Sequence, residues 1–145
     1  MDKDSIYAFM AKSRYAVVSS TSSDGTPQSA LVGVAITPDL EIVFDTVKSS
    51  RKYRNLIDRP ACSLVVGWSG EQTVQFEGVA VEPGVAELKR YQEVYFQVWP
   101  DGRERSITWP DIAYFAVMPR WIRYSDFYSD FDQRPPLIEE MSFPV

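Results

Sequence analysis

Four cations fall within seven residues at Lys48, Arg51, Lys52 and Arg54, inside the stretch "FDTVKSSRKYRNL". They stand out because the chain is acidic, with 15 Lys and Arg against 20 Asp and Glu. Ser49 or Ser50 can cap a helix that starts at Arg51. Arg51 and Lys52 then occupy its first turn, where open backbone N–H groups and the positive end of the helix dipole already favour an anion. Cations in that position are mildly unfavourable alone and gain a reason beside an anion. A phosphate monoester carries about −1.5 to −2 charges and three acceptor oxygens, which an Arg fork and a Lys suit well. Without a ligand, the same pattern is a solvated face on a short helix. Single-stranded RNA stacked on Tyr53 is disfavoured by the acidic remainder of the chain.

The composition limits the chemistry further. The sequence has no histidine, which removes Ser-His-Asp and Cys-His catalysis, His-rich metal sites and the usual haem ligand. An enzyme of this composition draws its reactive group from an organic cofactor. Cys62 is the single cysteine, so no intrachain disulfide forms; it lies in an apolar run and reads as a buried structural thiol. The acidic balance argues against nucleic acid as a partner. No apolar run approaches the ~20 residues of a membrane helix, and the start "MDKDSIYAFMAK" lacks the pattern of a signal peptide. A cytoplasmic protein is the resulting expectation. A chain of 145 residues is expected to form one domain over 1–145.

The elements that must position the basic cluster follow from patterning. Asp4 is expected to cap a helix over "SIYAFMAK". Two strands follow around the turn "SSDGTP". In the second, Ala30, Val32, Val34 and Ile36 alternate onto one face, while Leu31, Gly33 and Ala35 give the other face small side chains. That small face leaves room for a flat group, or permits close packing. The strand "EIVFDT" leads into the basic helix, whose buried stripe is expected to be Tyr53, Leu56 and Ile57, with Arg59-Pro60 ending it. Strands are expected at "ACSLVVGW" and "TVQFEGVAVE". A helix over "VAELKRYQEVYFQVW" should bury Val85, Leu88, Tyr91, Tyr95 and Val98. "RERSITWP" reads as a loop. Two strands, "DIAYFAVM" and "RWIRYSDF", flank Pro119, and an extended tail closes the chain. The sum is an α+β fold: a mostly antiparallel split β-barrel of six or seven strands with about three helices.

The quoted pieces also occur in a recognisable order. "DT" at Asp45-Thr46, "SRK" at Ser50-Arg51-Lys52, "NL" at Asn55-Leu56, "RPACSLVV" from Arg59 and "VQFEG" from Val74 together resemble the pyridoxamine 5'-phosphate oxidase-like family of FMN-binding split barrels. The resemblance is densest from Pro27 to Ala80. It implies FMN as cofactor, its phosphate held by Arg51 and Lys52, with Ser50, Thr46 and Asp45 in the same pocket. It places the backbone of Ala30 to Ala35, Val32 included, along the isoalloxazine ring. Thr73 and Gln75 stand where the family approaches the flavin from "V-x-V-E-G". It also implies a homodimer with the flavin near the subunit interface.

Ala30 and Ala35 replace both basic residues of the oxidases' "R-x-V-L-L-K" segment, and the C-terminal "R-L-H" motif is absent. The chain is therefore expected to be a generic family member, an FMN-dependent oxidoreductase on a small organic molecule with little or no pyridoxamine 5'-phosphate oxidase activity. The alternatives are a flavin-binding or interaction module without turnover, or the same barrel with deazaflavin or haem. Trp109 and Trp121 are candidates to wall the flavin, and Tyr124, Phe127, Tyr128 and Phe131 form an aromatic run suited to dimer packing.

Overall fold

A computed structural model describes residues 2–127 and 135–145. Tyr128 and Phe131, in the expected dimer-packing run, lie outside the described residues. The elements in chain order are α1 (Lys3–Ala11), β1 (Tyr15–Thr21), β2 (Pro27–Gly33), β3 (Ala35–Ile36), β4 (Ile42–Val47), α2 (Arg51–Asp58), β5 (Ala61–Val66), β6 (Gln72–Val81), α3 (Val85–Val98), α4 (Gly102–Thr108), β7 (Ile112–Asp126) and β8 (Leu137–Ser142).

Seven strands run in the order β2-β1-β5-β6-β7-β4-β3, all neighbours antiparallel, and β8 adds to β7. The two ends of that path, β2 and β3, are separated by Val34 alone. One continuous stretch therefore pairs with β1 at its start and with β4 at its end, which curls the sheet into a barrel. This is the expected α+β split barrel.

The alternation of β2 and β3 explains the two cores. Val32, Val34 and Ile36 point into the barrel with Phe44, Phe76, Phe115 and Leu56. Ala35 faces outward, where α3 covers β3, β4 and β7 with Tyr91, Tyr95 and Phe96. Gly33 belongs to the same packing. A Cβ there would lie 2.7 Å from the Trp99 ring, and the Trp99 indole N–H donates to the Val34 carbonyl at 3.1 Å. The small face around Gly33 is thus filled by the protein's own indole rather than left open for a flat ligand. Leu31 on that face remains 63% exposed.

Several local expectations are corrected. Asp2, not Asp4, caps α1, accepting from the Ser5 amide at 2.8 Å. In α2 the buried pair is Asn55 and Leu56, whereas Ile57 is exposed. In α3, Val85 is exposed because it precedes the part of the helix that crosses the sheet; Phe96 is buried instead. The "RERSITWP" stretch forms α4, anchored by Arg105 between Asp101 at 2.6 Å and Asp45 at 3.2 Å. Pro119 does not break β7. It pairs with Gly78 at a register shift between Glu77 and Gly78, where a residue without an N–H can be accommodated.

Gly78 is required at that shift for space. A Cβ would come within 2.4 Å of the Met118 carbonyl oxygen and 2.8 Å of Val117 Cγ1. Backbone cannot yield as a flexible side chain can. Gly78→Ala is expected to destabilise the fold by about 3 kcal/mol, at the upper end of ordinary overpacking costs. Urea denaturation checks this, and an unchanged midpoint would show that β6 and β7 can separate locally at no cost.

Candidate functional site

The basic cluster lies where β4 runs out into α2. The chain leaves the sheet at Val47, turns with the Ser50 amide bonded to the Val47 carbonyl at 2.9 Å, and enters the helix at Arg51. Ser50 is the N-cap; its hydroxyl accepts from the Tyr53 amide at 3.2 Å. The same hydroxyl shares a 2.9 Å hydrogen bond with Thr46, a buried residue at the end of β4. This pair sets the turn, and the Arg51 and Lys52 that follow it border one hollow.

A second set of bonds fixes the helix against the barrel. The buried Asn55 amide donates to Ser20 Oγ at 3.0 Å and to Gln28 Oε1 at 2.9 Å. Arg59 donates to the Thr21 carbonyl at 2.7 Å and to Asn55 Oδ1 at 3.4 Å. The β1–β2 hairpin is thereby tied to α2. Between them lie two adjoining hollows. The smaller, about 90 Å³, is lined by Ser20, Gln28, Ser29, Ala30, Arg51 and Lys52. The larger, about 570 Å³, runs past Gln28, Arg51 and Asn55 to Lys48 and Arg54.

The electrostatics of this corner are unbalanced. Among the described residues, neither Arg51 nor Lys52 makes an ion pair, whereas Arg54 faces Asp58 at 3.9 Å. Burial alone holds the Lys52 ammonium below its ordinary lysine value. That direction means the charged form is under-solvated where it sits, and an anion beside it would reverse the shift. Hydroxyls, a carboxamide, open helix amides and two unpaired cations form a donor set for a phosphate-sized anion.

The structure brings together Ala30, Thr46, Ser50, Arg51 and Lys52 from the sequence-derived set. It separates the others. Asp45 alternates to the opposite face of β4 from Thr46, where it accepts from the Tyr95 hydroxyl at 3.0 Å and pairs with Arg105. Val32 is buried in the barrel core. Thr73 and Gln75 lie toward the start of β6, opposite Ser125 and Arg123, away from the end of β6 that meets α2. Trp121 pairs across β7–β8 with Glu140 at 3.3 Å, and Trp109 follows α4, where it shares a cavity with Lys48 but borders neither hollow beside Arg51 and Lys52. Cys62 is half-buried, and desolvation pushes its thiol up to about 12, which disfavours the thiolate a nucleophile needs. Sequence reasoning missed Ser20, Gln28, Ser29 and the anchoring role of Asn55. No local signal marks the first three, because the hairpin meets α2 only in the folded barrel.

The sequence profile described as pyridoxamine 5'-phosphate oxidase matches residues 3–126. The chain belongs to the pyridoxamine 5'-phosphate oxidase-like family. No curated protein matches the sequence significantly. Solved structures share the fold at low identity. A haem-binding protein of Mycobacterium smegmatis superposes with TM-score 0.79 at 15% identity, covering 97% of this chain and 57% of its own. The chain thus spans little more than half the length of that protein. A pyridoxamine 5'-phosphate oxidase-related, FMN-binding protein of Nostoc punctiforme gives 0.62 at 11%, covering 97% and 93%. General Stress Protein 26 of Bacillus anthracis gives 0.66 at 22%, covering 84% and 92%. At these identities the likeness is one of fold.

The anchoring role of Asn55 is directly testable. Asn55→Ala would remove a partner from the buried Ser20 and from the part-buried Gln28 and Arg59, and is expected to cost about 2 kcal/mol. Chemical denaturation reads the loss; a change below about 0.5 kcal/mol, the scale of an ordinary surface substitution, would mean that the network does not hold the helix.

Proposed function

We propose that the chain is an FMN-binding flavoprotein, with the flavin phosphate at the Ser50-Arg51-Lys52 turn, acting as an oxidoreductase on a small organic molecule. The observation that carries this reading is the pair of cations without carboxylate partners at the start of α2, one of them desolvated by its surroundings. A solvated surface face would not need Thr46, Ser50, Asn55 and Gln28 to organise the turn behind it. The flavin, when bound, supplies the ring that accepts a hydride or electrons. The chain's part is to hold the phosphate through Arg51, Lys52 and the helix amides, with Thr46 and Ser50 setting the turn. With no histidine in the sequence, proton transfer falls to water, a tyrosine, a carboxylate or the substrate itself. The alanines at 30 and 35 remove cations that the oxidases proper possess, and turnover of pyridoxamine 5'-phosphate is not expected.

The Mycobacterium smegmatis protein raises haem as the second reading. The donor set favours the flavin, since the sequence offers no histidine and the Cys62 thiol is held protonated. The absorbance spectrum of the purified protein separates them: a flavin spectrum supports the first reading and a Soret band the second.

A homodimer completes the proposal. Leu31 and Val65, exposed at 63% and 40%, stand in one cross-strand row with Val17 between them. Ser29, Ser19 and Ser63 form the next row. The exposed Leu31 and Val65 make this a stretch of apolar and small polar side chains, which suits a second copy of the chain.

Two measurements test these statements. Arg51→Ala and Lys52→Ala should each weaken FMN about ten- to a hundredfold, since a charge-assisted contact contributes about 1.5–3 kcal/mol. Riboflavin, lacking the phosphate, should bind both variants as it binds the wild type, and Lys89→Ala on α3 should leave FMN affinity unchanged. Equal FMN affinity in all variants would reduce the cluster to a solvated face. For the dimer, light scattering is expected to give twice the chain mass, and Leu31→Glu with Val65→Glu should return the monomer. A monomeric wild type would sink the dimer proposal.

A further inference from the structure

A larger cavity, about 690 Å³, lies outside the phosphate corner, between α3, α4 and the start of β7. This volume is in the range of small-molecule sites. Its walls are mixed, with apolar surface from Leu88, Ile107, Trp109 and Ile112 and at least as much polar surface, to which Lys48, Glu82, Gln92 and Ser106 contribute. Trp109 lines it at 49% exposure, with the Arg105 guanidinium 5.8 Å from its ring centroid. Ile107 is still more exposed and adds apolar surface to the same wall.

Two features give the cavity polarity. Tyr114 lines it and is itself 4% exposed, with a buried hydroxyl that has no hydrogen-bond partner. Gln92 and Ser106 stand beside that hydroxyl without reaching hydrogen-bond geometry. Buried polar groups are almost always paired, so an orphan beside a cavity marks a place where a ligand group or a bound water belongs. At the rim, Lys48 has no ion-pair partner among the described residues. The other charge at the rim, Glu82, is engaged by the Tyr53 hydroxyl at 3.1 Å from both of its oxygens.

We propose that this cavity is a second small-molecule site, for an amphipathic molecule that joins a flat apolar body to a carboxylate. The flat body lies against Trp109, Ile107 and Leu88, the carboxylate meets Lys48, and the Tyr114–Gln92–Ser106 group receives a hydrogen-bonding substituent. Lys48 also borders the phosphate hollow, so the two sites meet at that residue. The proposal does not rest on the flavin reading, because none of Arg51, Lys52 and Thr46 lines this cavity.

The probe is 2-naphthoate, titrated into the full chain without added flavin and followed by its fluorescence anisotropy, with 2-naphthamide as the uncharged counterpart. Saturable binding of the naphthoate, several-fold tighter than the amide, is expected. Trp109→Ala and Ile107→Ser should each weaken both probes about fivefold or more, through lost apolar contact. Lys48→Met should weaken the naphthoate about tenfold and bring it level with the amide. Arg51→Ala should leave naphthoate binding unchanged, which separates this site from the phosphate turn. All four side chains are exposed or at the surface rim, so circular dichroism is expected to show unaltered folding. Absence of saturable binding at millimolar probe overturns the proposal, as does binding that is indifferent to both Trp109→Ala and Ile107→Ser. Equal affinity for acid and amide in the wild type overturns the carboxylate assignment.

Discussion

One constraint governs the molecule: the stretch from Pro27 to Ile36 must pair with β1 at its start and with β4 at its end. Only a curled sheet allows this, and Val34 marks the point where the stretch passes from one neighbour to the other. The barrel interior then receives Val32, Val34 and Ile36, and the outer face receives Ala35 under α3. Closure also carries the β1–β2 hairpin to α2. Gln28 meets Asn55 because of it, and the hollow beside Arg51 and Lys52 exists only once the hairpin has arrived.

The end of β4 shows how a single strand serves two environments. Thr46 points toward the basic turn and bonds Ser50, whereas Asp45, one residue earlier, points the other way. There it holds α3 through Tyr95 and α4 through Arg105. Burial raises the Tyr95 phenol above its ordinary range, and the nearby Asp45 charge adds to the effect. The neighbouring carboxylate and threonine therefore do unrelated work: one anchors helices, the other organises a corner with unpaired cations. Period-two alternation is the whole cause.

Much of the fold was legible because its signals are local. Alternation in "TVQFEGVAVE" and "EIVFDT", the Ser50 cap and the Arg59-Pro60 stop all act within a few residues, and the corresponding elements form as expected. Where the expectation failed, a distant partner had decided. "RERSITWP" has little apolar periodicity, yet it forms α4, where Arg105 joins Asp101 one turn back to Asp45, sixty residues away in sequence. Pro119 reads as a break, yet the register shift opposite Gly78 accommodates it inside one long strand. Gly33 and Ala35 suggest open space, and Trp99 fills it.

The candidate site divides along the same line. The sequence alone determined that a serine at 49 or 50 caps a helix whose first turn carries Arg51 and Lys52, because capping chemistry and helix electrostatics are set by adjacent residues. It also determined the family, through short motifs in a fixed order. Only the tertiary structure decided that Asp45 leaves this corner while Thr46 stays, that Thr73 and Gln75 lie elsewhere on β6, and that Ser20, Gln28 and Ser29 join it. Those outcomes depend on strand register and barrel closure. Both come from side chains that meet across tens of residues, and no window of sequence carries that information by itself.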